Sequence, residues 1–410
     1  MPDTIPRDTA VIPIPPEVME DDTVPDTALA SEDSILPAPT IPEYPHPAPT
    51  GWAWADWEWG REELARYHGL SLIDLIDRIP GIVVTRAGGF GRPTGVSTLG
   101  MGGGRVRLFI DGYEMDPLAS ATLDLQHYGI ADLGSLRVSR SLNEVRIEIS
   151  TFRLQDSRPY SRIEIGAGNY ETKLLRALFS RTIGAQNIVT AAFGLASTRG
   201  IGISEPFTRN LGALGWSYSL SPELGFEAQY RFTGVERRSS ADRVPQIFDE
   251  NMTRQELVLR GRARPFADLT VEGIVGRSWR APADSTSFVD DELASTQAVL
   301  RAVYQTRPVW VDGSARLRGG SDRGVATPGL ELALRGGLRP FPWLQATGEV
   351  RHANAADIAG VDLSATVRAG SWWGISLFGT VASGERALGL IRDSTFTVPR
   401  EIETEVDGVV

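Results

Sequence analysis

The sequence contains no cysteine and only four histidines among its 410 residues. The absence of cysteine excludes disulfides and thiolate metal sites, and it is compatible with an exported protein. The histidines are scattered, and none has a second ligand at the spacing that metal sites use. We therefore predict no metal site and no cofactor. The four histidines are His46, His68, His127 and His352.

The sequence also lacks any run of about eighteen apolar residues, which excludes a transmembrane helix. A closed β-barrel is then the remaining way for this chain to cross a bilayer, because an open sheet would leave backbone groups unsatisfied in lipid. No basic segment followed by an apolar core is visible at the N-terminus, so a signal peptide is not recognisable. The net charge of −11 argues against a general nucleic-acid-binding function.

Catalytic motifs are missing as well. The sequence has no Gly-x-Ser-x-Gly nucleophile elbow and no P-loop. The glycine-rich residues 100–104 are not followed by the helix pattern that a phosphate-binding loop requires. Asp111 and Asp116 could be read as a carboxylate pair, but Asp111 precedes Gly112, and this pattern favours a turn after a strand. We therefore predict that the protein is not an enzyme.

The most informative stretch that is present runs from Leu70 to Gly112. It begins with a short amphipathic helix, in which the apolar residues fall at spacings of one, three and four. Pro80 and Gly81 end this helix, because proline disfavours helix at the preceding residue and glycine lets the chain turn. The elements predicted next are a strand at Ile82 to Arg86, a glycine-rich loop, and a strand at Arg105 to Ile110 that ends in Asp111-Gly112.

This order of elements resembles the plug domain of TonB-dependent outer-membrane receptors. In that family a helix ending in Pro-Gly leads to a strand, a glycine-rich stretch, and a strand that ends in Asp-Gly. We assign the plug domain to residues 51–151, since Val145 to Thr151 resembles the last plug strand of the family. The residues that carry the motif are Pro80, Gly81, Gly89, Gly91, Asp111 and Gly112.

Residues 1–50 are rich in proline and acidic residues and poor in large apolar ones, so we expect them to be disordered or extended. In the receptor family a short extended segment before the plug, the TonB box, pairs with the inner-membrane energy complex by strand addition. One segment of this tail, with Val-Ile before a proline, is a candidate; the alternative is an ordinary linker. The candidate TonB box consists of Asp8, Thr9, Ala10, Val11, Ile12 and Pro13.

From Ser161 onward the apolar residues recur at every second position, in one segment after another. Segments of about ten residues that alternate in this way are typical of a transmembrane β-barrel with a polar lumen, although a soluble β-sandwich alternates likewise. Three features favour the barrel: long strands, connections that are alternately short and long, and aromatic residues near the tight turns.

We therefore predict a mainly β fold, in which a small α+β plug domain precedes an antiparallel transmembrane β-barrel. The alternating segments amount to about twelve to fourteen strands within residues 158–410. The family resemblance implies about twenty-two. If the resemblance holds, we expect the chain to contain either an incomplete barrel or the barrel of a smaller relative of the family.

Arginine recurs on the side of the predicted strands that faces the lumen. Leu259 and Leu332 are predicted to face lipid, and Arg260 and Glu331 the interior. The inward arginines either form a wall that is paired with acidic residues, or favour an anionic solute, since arginine binds carboxylate and phosphate bidentately. The candidate anion-binding residues of the lumen are Arg260, Arg262, Arg335 and Arg368.

The resemblance implies a receptor in the cell outer membrane that captures a small-molecule ligand of siderophore, cofactor or oligomer type. It also implies import driven by a TonB-type inner-membrane energy complex, with outer-membrane lipid as the other partner. A second class remains open, a non-transporting structural or binding barrel with a vestigial plug, because the turn between the last two plug strands is shorter than in the family. A soluble β-rich enzyme is a third class, which membrane fractionation would separate from both.

Overall fold

In a computed structural model, the protein is described over most of residues 37–410. The described ranges are 37–45, 57–67, 69–86, 90, 94–98, 106–115, 123–140, 145–199, 206–237, 250–282, 293–320, 328–341, 343–355, 358–372, 375–387 and 400–409. Within these ranges no helix combines the length and the apolar character needed to cross a membrane.

The first part of the described chain, up to Thr151, is a small α+β domain. Its helices are α1 (Arg61–Ala65) and α2 (Leu72–Ile76), and a 3-10 turn follows at Leu125–His127. Its strands are β1 (Trp57–Trp59), β2 (Ile82–Arg86), β3 (Thr94–Thr98), β4 (Val106–Ile110), β5 (Tyr113–Glu114), β6 (Leu133–Arg140) and β7 (Val145–Thr151). Five of them form a sheet in the order β1-β6-β7-β4-β5, and β2 pairs with β3 separately.

The core of this domain forms around α2. The apolar residues of α2 are at most 1% exposed, because they pack on the sheet strands β4, β6 and β7. Three inward residues of the following sheet, Val258, Ile274 and Val299, belong to the same apolar cluster. The small domain is therefore packed directly against the second part of the chain.

The second part is a fourteen-stranded antiparallel sheet whose strands pair in sequence order, from β8 at one end to β21 at the other. Its strands are β8 (Tyr160–Gly168), β9 (Thr172–Ile183), β10 (Asn187–Thr198), β11 (Phe207–Ser221), β12 (Leu224–Arg237), β13 (Glu250–Phe266), β14 (Leu269–Pro282), β15 (Leu293–Gln305), β16 (Val309–Gly320), β17 (Pro328–Phe341), β18 (Leu344–Ala355), β19 (Ile358–Trp372), β20 (Ile375–Ala387) and β21 (Arg400–Val409).

The two ends of this sheet differ in their connections. At one end, which we call the turn end, neighbouring strands are joined by tight turns, as between Ser221 and Leu224 or between Phe266 and Leu269. At the opposite end, which we call the loop end, most connections are longer, as between Thr198 and Phe207. This alternation matches the pattern of connections that the sequence predicts.

The sheet curls around the small domain. Arg162 of β8 donates a hydrogen bond to the Ala65 carbonyl (2.7 Å), and Glu331 of β17 forms an ion pair with Arg107 of β4 (3.0 Å). A flat sheet would place β8 and β17 about 43 Å apart, since neighbouring strands lie about 4.8 Å apart. One small domain can contact both strands only if the sheet is curved.

The two faces of the sheet follow the predicted alternation. Leu259 and Leu332, predicted to face outward, are 53% and 43% exposed. Arg260 and Glu331, predicted to face inward, are 3% and 8% exposed. The outer face is thus apolar, and the inner face is polar and covered by the small domain.

Candidate functional site

The Pro80-Gly81 motif turns the chain from α2 into β2. Gly81 has a φ of 78°, a left-handed backbone conformation that glycine adopts without strain. Arg86, at the end of β2, reaches back to Asp74 of α2, with its Nη1 3.3 Å from the carboxylate oxygen Oδ1. The motif therefore brings β2 back alongside the helix. The other two motif glycines, Gly89 and Gly91, lie outside the described residues.

Asp111 and Gly112 form the turn between β4 and β5. Both have left-handed backbones, with φ values of 47° and 85°. A Cβ atom added to Gly112 would lie 2.5 Å from Nη2 of Arg301, a residue of the sheet. The positive φ favours glycine here, and any larger residue would also have to displace the guanidinium of Arg301.

The Asp111 side chain ties this turn to the last plug strand and to the sheet. Its carboxylate accepts hydrogen bonds from the Thr151 backbone N–H (3.1 Å), the Thr151 hydroxyl (2.6 Å) and the Gln229 side-chain amide (3.3 Å). Burial alone would raise the pKa of Asp111, but the charges of Arg260 and Arg153 and the hydrogen bonds from Thr151 lower it to about 2. Asp111 is thus a buried anion that joins β4, β7 and β12.

Glu114 in β5 is the centre of a second charged group. Its carboxylate contacts Arg107 of β4 and both Arg316 and Arg318 of β16, and its backbone carbonyl accepts a hydrogen bond from Gln297 of β15 (2.8 Å). Burial opposes ionisation of this carboxyl, but the three arginines hold the pKa of Glu114 well below its usual range. Glu114 is therefore held by two neighbouring strands of the sheet, its carboxylate by β16 and its backbone carbonyl by β15.

Two further plug acids meet arginines of β12. Asp132 pairs with Arg231 at 2.5 Å, and both side chains are at most 7% exposed. Asp124 pairs with Arg237 at 3.2 Å. Sequence reasoning missed both acids, because they lie in irregular segments without a periodic pattern. The only signal in the sequence is the recurrence of arginine at inward positions of the strands.

Two inward arginines bind the plug through its backbone carbonyls. Arg209 of β11 donates from its guanidinium to the carbonyls of Leu70 and Gln126, both at 2.6 Å. Arg176 of β9 contacts the Gly69 carbonyl in the same way. These carbonyls flank the N-terminal end of α2 and the 3-10 turn. The sheet therefore binds backbone carbonyls in irregular parts of the plug as well as the acidic side chains of the plug.

The four predicted lumen arginines have different environments. Arg260 pairs with Glu227 (2.6 Å), and Arg262 contacts Glu272, so these two buried arginines form a paired wall against the plug. Arg335 pairs with Glu349 (3.2 Å), and its side chain remains 25% exposed. The side chain of Arg368 lies outside the described residues.

Arg335 lines a narrow cavity between the plug and strands β15 to β18. The cavity has a volume of about 30 Å³, close to that of one water molecule. Arg107 and Arg146 of the plug and Glu331 and Arg351 of the sheet lie on its walls. Most of these arginines already hold a carboxylate, as Arg351 does with Glu331 (3.1 Å). Among the described residues, no group of three His, Asp or Glu side chains is placed to hold a metal.

Comparisons with known proteins agree with this architecture. Residues 58–150 match the family model described as the TonB-dependent receptor plug domain. The vitamin B12 transporter BtuB of Vibrio vulnificus (strain CMCP6) is 25% identical over 158 residues, which are 36% of this chain and 26% of that protein.

Solved structures share the fold at low sequence identity. The siderophore receptor PirA from Acinetobacter baumannii superposes with a TM-score of 0.64 at 12% identity, over 81% of this chain and 61% of that one. The FrpB iron transporter from Neisseria meningitidis gives a TM-score of 0.60 at 10% identity, over 80% and 64%. The matched part is less than two thirds of each of these relatives.

The plug domain and the curved antiparallel sheet define a class of protein in which a small domain sits inside a β-sheet wall. Residues 58–150 thus match the plug domain of TonB-dependent receptors, and the chain as a whole shares the fold of the solved siderophore receptor and iron transporter.

Proposed function

We propose that this protein is an outer-membrane receptor that binds a small-molecule ligand and imports it by TonB-driven displacement of its plug. The observation that carries this proposal is the interface between the plug and the inner face of the sheet. Arginines of the sheet hold the plug acids Glu114, Asp124 and Asp132, and Gln229 of the sheet donates a hydrogen bond to Asp111. An interface of this kind suits a domain that must move.

The physical reason lies in solvation. Separating an apolar interface costs about 25 cal/mol of free energy for each Å² of apolar surface exposed to water, and contact with water does not offset this cost. When an ion pair such as Asp132–Arg231 separates into a water-filled lumen, water solvates both charges and offsets much of the lost attraction. The plug is therefore held firmly while its interface with the sheet contains no water, and it becomes easier to displace once water enters that interface.

We propose that the ligand is anionic, such as a solute with carboxylate groups or an anionic metal chelate. Support comes from the cavity beside Arg335, where Arg107, Arg146 and Arg351 also lie. Arginine offers paired N–H donors to a carboxylate, so a solute carboxylate could replace Glu349 as the partner of the half-exposed Arg335. The names of the relatives, a vitamin B12 transporter and a siderophore receptor, indicate small-molecule solutes for those proteins.

We further propose that residues 8–13 are the TonB box. This segment lies outside the described residues, and the proposal rests on its sequence, Asp-Thr-Ala-Val-Ile-Pro. Val11 and Ile12 favour an extended strand, and Pro13 disfavours helix. Strand addition suits a pulling contact because several backbone hydrogen bonds share the load.

The test is an Ile12→Pro variant, with Ile5→Pro as the matched control outside the candidate segment. Cells that lack other receptors are assayed for binding and uptake of two probes, radiolabelled vitamin B12 and ferric enterobactin. We expect Ile12→Pro to keep the binding of whichever probe the wild type takes up and to lose its energy-dependent uptake. Uptake that survives Ile12→Pro would refute the assignment of the TonB box.

A non-transporting barrel is the second candidate function. The observation that favours it is the short connection between β6, which ends at Arg140, and β7, which begins at Val145. A plug shortened here could serve only to close the barrel. A wild type that binds a probe but does not take it up, with or without an inner-membrane proton gradient, would favour this second function.

A further inference from the structure

A cavity of about 250 Å³, which we call the turn-end cavity, lies between residues 152–155, which follow β7, and strands β10 to β12. Its residues in the sheet are close to the tight turns between β9 and β10 and between β11 and β12. Thr40, Glu43 and Gln155 also line the cavity and are exposed to solvent, so it is open at the turn end. It is several times larger than the cavity beside Arg335, and it shares no lining residue with that cavity.

One part of the lining is apolar, in contrast to the mostly polar inner face of the sheet. Ile188 and Ala192 of β10 and Ala213 of β11 line the cavity and are at most 8% exposed. Phe152 and Leu154 also line it, and all five residues belong to one apolar cluster. Two of the five are alanines, whose short side chains leave space in front of them. This part of the cavity therefore suits an apolar group of a ligand.

The acidic residues of the lining are already neutralised or solvated. Asp132 pairs with Arg231 (2.5 Å), and Glu227 pairs with Arg260 (2.6 Å). A guanidinium this close offsets the negative charge of each carboxylate, so the two acids attract a second cation only weakly. The third acid, Glu43, is exposed at the opening, where water and salt screen its charge. The lining therefore does not favour a cationic ligand.

Arg153 is the one charged residue of the lining whose contacts are long. Its Nη2 lies 3.5 Å from Oε2 of Glu227 and 3.9 Å from Oδ1 of Asp111, whereas a charge-assisted hydrogen bond measures about 2.7–2.9 Å. Both acids have closer partners, since Glu227 is held by Arg260 and Asp111 accepts a hydrogen bond from Thr151 (2.6 Å). The Arg153 side chain is 32% exposed. It can therefore bind another carboxylate while Glu227 and Asp111 keep their partners.

We propose that the turn-end cavity is a binding site for a small monocarboxylate with a compact apolar body, such as a single aromatic ring. The carboxylate would pair with Arg153, and the ring would pack on Ile188, Ala192 and Ala213. An apolar cavity of about 150 Å³ is large enough to hold benzene. A cavity of about 250 Å³ therefore fits a ring that carries a short acidic side chain. This inference concerns a second site and does not depend on the proposed import.

Binding at this site has a consequence for stability. The lining includes Ile41 ahead of the plug, Asp132 of the plug, Arg153 after it, and Ala192 of the sheet. A bound acid contacts parts of the chain that come together only in the folded protein. A ligand that binds the folded state and not the unfolded state stabilises the folded state. We therefore expect a bound monocarboxylate to raise the melting temperature.

The first test compares three probes that share one apolar body and differ in charge. They are 3-phenylpropanoate, 3-phenylpropanamide and 3-phenylpropylamine. The purified full chain is placed in nanodiscs of zwitterionic lipid, because a detergent molecule is itself amphipathic and would compete for the cavity. Isothermal titration calorimetry, with empty nanodiscs subtracted, gives the affinities. We expect the acid to bind at least ten-fold more tightly than the amide, and the amine to bind most weakly. An amide or an amine that binds as tightly as the acid overturns the proposal.

The second test removes the charge of Arg153. In Arg153→Gln we expect the affinity for 3-phenylpropanoate to fall at least ten-fold, to that of the amide, while the affinity for the amide stays unchanged. The acid should also no longer raise the melting temperature. Arg158→Gln is the matched control, because Arg158 is an exposed arginine five residues further on that pairs with Asp156 (2.7 Å). A preference for the acid that survives Arg153→Gln, or that Arg158→Gln removes equally, overturns the assignment.

The third test fills the apolar part of the cavity. Ala192→Leu places a larger side chain in the space that the ring would occupy, and we expect it to weaken binding of the acid and of the amide at least ten-fold. Ala191→Leu is the control, because Ala191 is the preceding alanine and lies on the opposite face of β10. Full binding by a folded Ala192→Leu variant places the ligand elsewhere and overturns the proposal. If Ala192→Leu does not fold, the comparison of Arg153→Gln with Arg158→Gln decides.

The outcomes separate this site from the proposed function. The titrations are equilibrium measurements on purified protein and need no energy source. A protein that takes up neither vitamin B12 nor ferric enterobactin, but binds 3-phenylpropanoate through Arg153, would keep the turn-end site and refute only the import of those two probes. A protein that imports a probe but shows no binding of 3-phenylpropanoate would overturn the turn-end site alone.

Discussion

At the scale of single residues, the structure depends on charged side chains that the sequence pattern does not single out. Asp111 is the clearest case. Its sequence context predicts a turn, and the turn is present between β4 and β5. The contacts of its carboxylate with Thr151 and Gln229 join segments that are far apart in the chain. Such contacts depend on how the plug sits inside the sheet, which no local pattern encodes.

The first prediction concerns the pH dependence of stability at Asp111. Its pKa is about 2 in the folded protein, below the ordinary value of 3.8. A lowered pKa stabilises the folded state above the unfolded pKa, and this stabilisation is lost as the pH falls from about 4 to about 2. We expect Asp111→Asn to be less stable than the wild type by about 2 kcal/mol at neutral pH.

Unfolding in denaturant, measured at several pH values in detergent, checks this prediction. The difference between the wild type and Asp111→Asn should shrink as the pH falls through that window. Asp156→Asn is the control, because Asp156 forms a surface pair with Arg158 (2.7 Å) and should give no measurable change. A difference that stays constant between pH 2 and 7 would show that the charge of Asp111 is not the cause.

The second prediction separates the cost of the backbone conformation at Gly112 from the cost of its close contact with Arg301. In Gly112→Ala, the alanine has to adopt a positive φ of 85°, and its Cβ atom also lies too close to the guanidinium of Arg301. In Gly184→Ala, the alanine has to adopt a similar φ of 67°, but no other atom lies within 4 Å of the added Cβ. We expect Gly184→Ala to cost about 1 kcal/mol from backbone strain alone. Gly112→Ala should cost clearly more in the same unfolding assay, and equal costs would mean that Arg301 simply moves aside.

At the scale of elements, the strands of the sheet could be predicted closely, and the plug less so. The alternating pattern predicts about twelve to fourteen strands, and the described residues form fourteen, among them Asn187–Thr198 and Val309–Gly320. The reason is physical: the outer face is mostly apolar and the inner face mostly polar, so the strands repeat the same period of two. The plug has no such period, and Asp124 and Asp132 acquire partners only through tertiary packing.

The difference between the periodic strands and the non-periodic plug also explains how much could be predicted about the lumen arginines. Their inward orientation follows from the alternation, and Arg260 and Arg262 do face the plug. Their partners are harder to foresee. Glu227 lies directly across the strand pair from Arg260, and Glu272 lies directly across from both Arg262 and Arg301 and pairs with both. Some paired arginines are fully buried, as Arg260 is, and others stay partly exposed, as Arg335 does beside Glu349. This difference depends on the register between strands and on the position of the plug, which the sequence does not show.

The third prediction tests the two faces of one sheet. Leu332 lies on the outer face of β17, and Thr347 of β18 has the inward orientation of Glu349, two residues further on. We expect Leu332→Arg to destabilise the protein by roughly 2–4 kcal/mol in a bilayer, because it places a charge in hydrocarbon. Thr347→Arg should cost much less, since its charge faces a polar interior. Refolding into lipid vesicles measures both, and equal costs would contradict the assignment of the faces.

At the scale of the whole molecule, the plug and the sheet form a layered arrangement that is polar inside and apolar outside, the reverse of a soluble domain. Large apolar side chains are exposed on the outer face of strand after strand. Ile165 of β8 is 80% exposed, Leu214 of β11 is 57% exposed, and Leu300 of β15 is 60% exposed. Soluble monomers rarely expose contiguous apolar surface beyond a few hundred Å². We expect lipid or detergent to cover a face of this kind.

The last prediction is therefore about location. We expect the protein, expressed in a host with two membranes, to sediment with the outer membrane and to need detergent for extraction. We expect membrane retention to depend on the outer face, so one variant changes only that face and its matched control changes only the inner face. Replacing Leu214, Leu259 and Leu300 together with Ser removes about 2 kcal/mol of transfer free energy for each side chain and should weaken membrane retention. Replacing the inward Thr190, Ser217 and Thr347 with Ala changes the same number of positions and should leave retention unchanged. Quantitative blotting of the membrane and soluble fractions decides between these outcomes, and recovery of the wild type as a monodisperse monomer without detergent would overturn the outer-membrane location.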